Sequence, residues 1–232
     1  MAVGLADHPS DWRQSVLEAK NPPETVPGIY SRLAPVYELW AWATESKARR
    51  RVLELASVRP GEDVLEVATG TGAQLVRLAR ANPDGRTVGV EISSGMLARS
   101  RRRLKRSRLG RVELIEGSAL ELPLADGGFD LVVNSYMLDL LPREAIPIAL
   151  EEFKRVLRPG GRLVLSNMTK GERRRERTWD WLYSKGVVVT ANCRGVLAAP
   201  VLSELGFTDV KREYLSQMTF PTEIVTARKE GS

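Results

Sequence analysis

Cysteine and histidine are almost absent from this chain of 232 residues. Cys193 is the only cysteine, so no disulfide can form within the chain and a metal site built from cysteines is excluded. His8 is the only histidine, which argues against a histidine-based catalytic triad and against a metal site of several histidines. We therefore expect no metal site.

Long apolar runs are missing as well. No run approaches the roughly 18 residues that a membrane-spanning helix needs. The first ten residues lack the basic and then apolar segments of a secretory signal. The expectation is a cytoplasmic protein.

Positive charge is in excess, with a formal net charge of +6 and an isoelectric point of about 9.7. Such a charge can favour an anionic partner. The basic segments 99–108 and 173–177 lack the interleaved aromatic side chains that single-strand binders use, so we expect nucleic acid not to be a partner. Peripheral contact with an anionic membrane stays open, and so does a homodimer.

The middle of the chain alternates between apolar strand-like runs and helical runs. Strands are predicted at residues 63–68, 87–92, 112–116, 129–134 and 162–167, and helices at 73–81, 95–106 and 143–157. This alternation predicts parallel βαβ units in an α/β sheet that helices cover on both faces. Two further strand-like runs, at 207–214 and 218–227 with a turn around Ser216, predict an antiparallel hairpin.

Two segments fall outside this alternation. Residues 1–58 form a loose arm followed by helical sequence at 36–57, and we expect them to cap the binding site of a domain at 59–232. Residues 168–206 interrupt the pattern on the carboxyl side of the sheet, where ligand crevices form. We predict an acceptor-side insertion there, with ordinary helical packing on the sheet as an equal alternative.

The strongest local signal is a glycine loop at residues 64–72, VLEVATGTG, between a strand and a helix. Glycines allow a ligand to approach the backbone, and the helix N-terminus offers unpaired N–H groups. Leu75 replaces the third glycine of a dinucleotide fingerprint, and the lysine of a Walker loop is missing. Glu91 closes the second strand, where a carboxylate can accept hydrogen bonds from both ribose hydroxyls of an adenosine.

Five stretches in order carry a family resemblance: YSRLAPVY at 30–37, VATGTG at 67–72, VEISSGML at 90–97, LPL and GFD within 122–130, and RVLRPGG at 155–161. They resemble the class I S-adenosylmethionine (SAM)-dependent methyltransferases, most closely those of ubiquinone and menaquinone biosynthesis. The resemblance implies a Rossmann-like sheet of seven strands with an antiparallel C-terminal hairpin. It also implies SAM as the cofactor.

The resemblance further implies a set of cofactor-binding residues. The set comprises Ala68, Gly70 and Gly72 along the methionine part, Asn134 under the sulfonium, Glu91 at the ribose, Ile92, Met96, Ser118 and Ala119 around the adenine, and Tyr30 and Tyr37 as a cover. The chain departs from the family at Ala73 and Ser118, where acids are usual. Residues 137–141, MLDLL, replace the arginine–asparagine pair that is typical of the quinone enzymes.

Methyl transfer from a sulfonium depends mainly on an aligned, dehydrated nucleophile about 3 Å from the methyl group. If the acceptor carries a proton, Asp139 is the candidate base and Tyr136 the candidate orienting donor. A helix cap or a surface position is the favoured alternative for Asp139. Arg194, in the insertion, is a candidate for binding an acidic group of the acceptor.

These patterns predict an enzyme that methylates a small, lipid-like or aromatic acceptor, such as a quinone precursor or a phospholipid headgroup. Two alternatives stay open. The basic charge favours a methyltransferase that acts on nucleic acid or protein, although residues 134–137, NSYM, do not match the motif of many enzymes that methylate base amines. The second alternative is a SAM-binding module without catalysis.

Overall fold

The structure is a computed structural model that describes residues 44–172, 176 and 195–231. Its strands are β1 (Asp63–Val67), β2 (Arg86–Glu91), β3 (Val112–Glu116), β4 (Phe129–Ser135), β5 (Leu157–Met168), β6 (Phe207–Gln217) and β7 (Phe220–Lys229). They form one seven-stranded sheet with the order β3-β2-β1-β4-β5-β7-β6. The strands from β3 to β5 pair in parallel, and β7 is antiparallel to both neighbours. The predicted class I fold is confirmed.

Helices cover both faces of this sheet, as predicted. Within the described residues they are α1 (44–56), α2 (Ala73–Ala81), α3 (Ser94–Ser107), α4 (Ala145–Val156) and α5 (Ala198–Glu204). One hydrophobic core lies under α4 and α5 and contains Phe153 and Leu202. The other lies under α1 and contains Ala48 and Val52. Successive residues of each inner strand face opposite cores, which is why these strands are apolar almost throughout.

The hairpin turn differs from the prediction. β6 runs through Ser216 to Gln217, and Met218 and Thr219 form the turn with φ angles of 49° and 65°. Two successive residues in the left-handed region are typical of a two-residue hairpin turn. The prediction placed Met218 in a strand because the residue is apolar, yet its side chain is 71% exposed in the turn.

The segment between β5 and α5 leaves and rejoins the sheet at one place. The amide of Val196 donates to the carbonyl oxygen of Met168 over 3.0 Å. Side chains of the hairpin hold both ends, because Glu223 accepts from the amide of Ala198 at 2.7 Å and Arg212 donates to Glu172 at 3.0 Å. Residues 198–204 pack on the sheet, whereas an acceptor role for the insertion remains a prediction.

Arg155, at the end of α4, holds the loop between β3 and β4. Its guanidinium donates to the carbonyl oxygens of Leu124 at 2.8 Å and Leu122 at 3.0 Å. It also pairs with Asp126 at 2.6 Å and Glu152 at 2.7 Å. Arg155, the first residue of the RVLRPGG stretch, therefore fixes the loop that follows β3.

Candidate active site

A cavity of about 240 Å³ opens at the carboxyl edge of the sheet, where β1, β2 and β4 end. In open α/β sheets this edge is where ligands bind, at the point where the strand order reverses. β1 has β2 on one side and β4 on the other, so the cavity lies at that reversal. The described residues that line it are Arg49, Glu66, Val67, Ala68, Thr69, Gly70, Thr71, Val90, Glu91, Ile92, Ser93, Met96, Gly117, Ser118, Ala119, Leu120, Ser135, Tyr136, Met137, Leu140 and Leu141.

The glycine loop connects β1 to α2 through three left-handed residues. Ala68, Gly70 and Gly72 have φ angles of 58°, 54° and 76°. Ala68 and Gly70 line the cavity, whereas Gly72 does not. A Cβ atom on Gly72 would lie 2.3 Å from the hydroxyl oxygen of Ser100 in α3. Gly72 is therefore required for close packing between the loop and α3.

Glu91, at the end of β2, faces the cavity with a side chain held by backbone amides. Its Oε2 accepts from the amide of Gly70 at 2.8 Å, and its Oε1 accepts from the amide of Ser93 at 2.9 Å. Burial raises the pKa of Glu91, while these amide bonds act in the opposite direction. The carboxylate retains lone pairs that can accept hydrogen bonds from two hydroxyl groups.

Glu66 is a site residue that the sequence analysis did not find. It is 2% exposed, it lines the cavity, and its Oε2 has no hydrogen-bond partner among the described residues. Burial raises the pKa of Glu66 to about 8, with a smaller contribution from Glu91 and an opposing one from Arg49. A carboxyl group inside a buried parallel strand is costly unless it is paired, and this signal could have identified it.

Arg49 brings a cation into the same part of the cavity from α1. Its guanidinium pairs with the buried carboxylate of Glu45 at 2.6 Å, and the carbonyl of Arg49 accepts from Gln74 of α2 at 3.2 Å. Glu66 and Arg49 therefore place a carboxyl group and a guanidinium near each other, an arrangement suited to an amino-acid zwitterion. The sequence analysis missed Arg49 because α1 lies far from the glycine loop along the chain.

The opposite end of the cavity is formed by the residues predicted around the adenine. Ile92 is 58% exposed and Met96 is 4% exposed, and both line the cavity together with Ser118 and Ala119. The hydroxyl oxygen of Ser118 accepts from the amide of Leu120 at 3.1 Å. Serine thus orders this turn at the position where the family usually has an acid.

Asn134 and Asp139 do not line the cavity. Asn134 is fully buried, and its Nδ2 donates to the carbonyl of Val67 at 2.9 Å, which ties the end of β4 to the end of β1. Asp139 is also fully buried, in a short 3-10 helix at Leu138–Leu140. A contact of Asn134 with the sulfonium and a base role for Asp139 therefore remain predictions that the cavity lining does not support.

Tyr136 lines the cavity just after β4 in a left-handed conformation, with φ of 54°. Its hydroxyl is 3.0 Å from the hydroxyl oxygen of Thr222. Burial raises the pKa of Tyr136 well above its usual value, so the phenol keeps its proton. Left-handed backbone in a bulky residue is uncommon and is often found at functional sites.

Three predicted site residues lie outside the described residues: Tyr30, Tyr37 and Arg194. Among the residues that the structure describes, no group of three or more histidine, cysteine, aspartate or glutamate side chains could hold a metal ion. Within the same residues, no helix has both the length and the apolar character needed to cross a bilayer.

Comparison with known proteins agrees with this site. Residues 64–161 match the family described as "Methyltransferase domain", and this stretch contains the glycine loop, Glu66, Glu91 and the end of β4. This stretch of the chain is therefore similar to a methyltransferase domain. The match extends from β1 into β5, so the domain supplies most of the described cavity.

Two curated relatives match part of the chain. The chain is 33% identical over 145 residues to a demethylmenaquinone methyltransferase of Listeria welshimeri, which covers 60% of this chain and 61% of the relative. A demethylmenaquinone methyltransferase of Symbiobacterium thermophilum is 35% identical over 143 residues, or 61% of this chain and 55% of that protein. The chain thus spans less than two thirds of the relatives it matches.

Solved structures share the fold of this chain at low sequence identity. The cyclase SpnF has a TM-score of 0.71 at 20% identity, covering 94% of this chain and 99% of that one. NodS of Bradyrhizobium japonicum, an N-methyltransferase solved with S-adenosylhomocysteine (SAH), has a TM-score of 0.63 at 20% identity over 80% of this chain and 87% of its own. A cyclase and a methyltransferase on one fold show that the site, not the fold, decides the reaction.

Proposed function

We propose that this protein transfers a methyl group from SAM to a small aromatic, lipid-like acceptor of the quinone-precursor type. The observation that carries the proposal is a cavity with one buried carboxyl group at each of two places, Glu91 at the end of β2 and Glu66 within β1. The first suits a ribose and the second suits an α-ammonium group. A nucleoside joined to an amino acid satisfies both.

The residues present fit that cofactor. Glu66 has a buried Oε2 without a partner among the described residues, and Arg49 lies near it as the cation for a carboxylate. A Cβ atom on Gly70 would meet nothing within 4 Å, so the backbone beside Glu91 is open to a ligand. When bound, SAM supplies a methyl group on a sulfonium sulfur, which retains the bonding electron pair as the acceptor's nucleophilic atom takes the methyl.

The chain's own contribution is to position the acceptor and to exclude water. The cavity wall at the end of β4 and just after it includes Ser135, Met137, Leu140 and Leu141. Three of these four side chains are apolar, and the hydroxyl of Ser135 has no partner among the described residues. This wall suits a flat apolar ring with an oxygen substituent. Tyr136 keeps its own proton and so would not act as the base; the proton that the acceptor loses would reach solvent when the product leaves the cavity.

The acceptor class also has support from the relatives, which are demethylmenaquinone methyltransferases. To test it, methyl transfer from labelled SAM to a prenylated 1,4-naphthoquinol should be measured. We expect label in the naphthoquinol. SAM binding without any labelled product would reject the acceptor while leaving the cofactor in place.

Replacing Glu91 with alanine should weaken SAH binding about 100-fold, because two hydrogen bonds to a charged acceptor are lost. Calorimetry with SAH measures this loss, and thermal unfolding checks that the variant still folds. Methylthioadenosine keeps the ribose but lacks the amino-acid part, so its affinity should fall by the same factor. Unchanged affinity of the folded variant for both ligands would refute the ribose role.

The affinity for SAH should depend on pH through Glu66. With a pKa of about 8, this carboxyl group is protonated at pH 6 and must lose its proton to pair with the ligand's ammonium. The ammonium of SAH belongs to a free amino acid, so it titrates above the peptide α-amino value of about 7.7–8.0 and stays charged at pH 8. We therefore expect SAH affinity to reach its maximum above pH 8 and to be about 50-fold weaker at pH 6 than at pH 8.

Two controls isolate this effect. Glu66→Gln should lose the decline of SAH affinity below pH 8, because the amide does not titrate. Methylthioadenosine should show no such decline with the unmodified protein, because it has no ammonium group. Equal affinity of the unmodified protein for SAH at pH 6 and pH 8 would contradict the role of Glu66.

A further inference from the structure

Helix α3 presents cations without counter-charges. It carries six basic residues and no acidic residue, and Arg108 caps its C-terminus. Five of these seven cations are exposed, and they define the basic face: Arg101, Arg102, Lys105, Arg106 and Arg108. No side chain of the basic face has an ion-pair partner within the part of the chain that the structure describes.

The spacing of the basic face is unfavourable for an isolated helix. Arg101 and Lys105 are four residues apart, as are Arg102 and Arg106, so like charges are neighbours on the helix surface and repel each other. The helix macrodipole favours cations in the last turn, which explains Lys105 and Arg106 but neither Arg101 nor Arg102. An external anionic surface would supply the missing stabilisation.

The basic face starts near the cavity along α3 but points away from it. Met96, in the first turn of α3, lines the cavity wall. A helix rises 1.5 Å per residue, so Arg101 lies about 7.5 Å and Arg108 about 18 Å further along the axis. With 3.6 residues per turn, the basic face lies on the side of α3 opposite to Met96, so a flat anionic surface in contact with it would lie across the helix from the cavity, about one helix diameter away.

We propose that the basic face docks this protein on an anionic lipid bilayer. Charge complementarity selects an anionic partner. The choice of a bilayer over nucleic acid rests on the proposed function, because a lipid-like acceptor resides in a membrane. The basic face also carries no aromatic side chain on which a base could stack. Docking of this kind is reversible and weakens as salt screens the charges.

The test compares vesicle binding of the unmodified protein with that of a variant carrying Arg102→Gln, Lys105→Gln and Arg106→Gln. The vesicles contain phosphatidylcholine with a one-third share of phosphatidylserine, and binding is measured by sedimentation at low ionic strength. Each basic residue contributes about fivefold to partitioning, so the variant should bind about 100-fold more weakly. Vesicles of phosphatidylcholine alone should bind neither protein.

A matched control removes three charges from other elements. Lys47, Arg59 and Lys211 are exposed residues of α1, the turn before β1, and β6; their replacement by glutamine should leave vesicle binding within a few fold of normal. Equal losses in the two variants, or no binding by the unmodified protein, would overturn the proposal. It would also be overturned if a DNA duplex or single-stranded RNA bound more tightly than the vesicles and only the α3 variant lost that binding.

The docking test is separable from the proposed function. All three proteins should bind SAH equally, because the substituted residues lie outside the cavity lining. Normal vesicle binding combined with no transfer to the naphthoquinol would support docking and reject the acceptor. Normal transfer with no vesicle binding would reject docking alone.

Discussion

Replacing Arg212 with alanine is expected to lower the free energy of unfolding by about 3–5 kcal/mol, because it leaves a buried carboxylate without its partner. Arg212 Nε donates to Glu223 Oε2 at 2.9 Å, and Glu223 is fully buried. The same guanidinium contacts Glu172 at 3.0 Å and Thr169 at 3.4 Å. Chemical denaturation of the variant and the unmodified protein measures the loss.

The double variant Arg212→Ala with Glu223→Gln shows whether the loss of stability comes from an unpaired buried charge or from lost packing. Glutamine keeps an oxygen for the amide of Ala198, so the double variant should be more stable than Arg212→Ala alone. Burial raises the pKa of Glu223, and removal of the cation raises it further. A carboxyl group with a raised pKa destabilises the fold as pH rises above its unfolded value of about 4.3. The deficit of Arg212→Ala should therefore be larger at pH 8 than at pH 5, and a deficit independent of pH would contradict this account.

Replacing Gly72 with alanine should cost about 2–5 kcal/mol of stability, from left-handed backbone strain and a forced steric contact. The new Cβ would lie 2.3 Å from the hydroxyl oxygen of Ser100 and 3.2 Å from its Cα. Rotation of the serine side chain removes only the first contact. The loop must therefore move away from α3, and thermal unfolding should report a lower midpoint.

Gly70→Ala is the matched control, because Gly70 has a similar φ of 54° but nothing within 4 Å of the added Cβ. It should lose only the backbone-strain component, about 1–2 kcal/mol. Its Cβ would enter the cavity, where one extra methyl group is worth about tenfold or more in affinity. Gly70→Ala should thus weaken SAH binding more than Gly72→Ala does while lowering stability less, and the reverse order between the two variants would refute the assignment.

Local patterns were enough to predict the sheet. The helix at residues 73–81 and the strand at 112–116 have the observed bounds, because glycine loops, turns and apolar periodicity are properties of adjacent residues. The prediction of a turn around Ser216 was wrong. Met218 is apolar yet lies in a left-handed turn, and the geometry of the turn depends on the pairing between β6 and β7. Element bounds depend on tertiary pairing more than element types do.

The cavity was only partly predictable, for a related reason. Ala68, Gly70, Glu91, Ile92, Met96, Ser118 and Ala119 were all predicted to contact one ligand, and all line one cavity. The sequence analysis missed Glu66 and Arg49 because these two residues come near each other only when α1 packs on the sheet. The sequence analysis proposed Asp139 as a base because it closely follows β4. In the structure, the packing of its short helix buries Asp139 away from the cavity lining.

The hydrogen bond between Val196 and Met168 fixes these two residues side by side, so any chain that connects them must close a loop there. Because the entropy of closing such a loop grows only with the logarithm of its length, doubling that length costs about 0.6 kcal/mol. Natural selection can therefore lengthen, shorten or exchange the connecting segment while the strands around it keep their register. Related proteins with this fold can therefore differ in the length of this segment with only a small loss of stability.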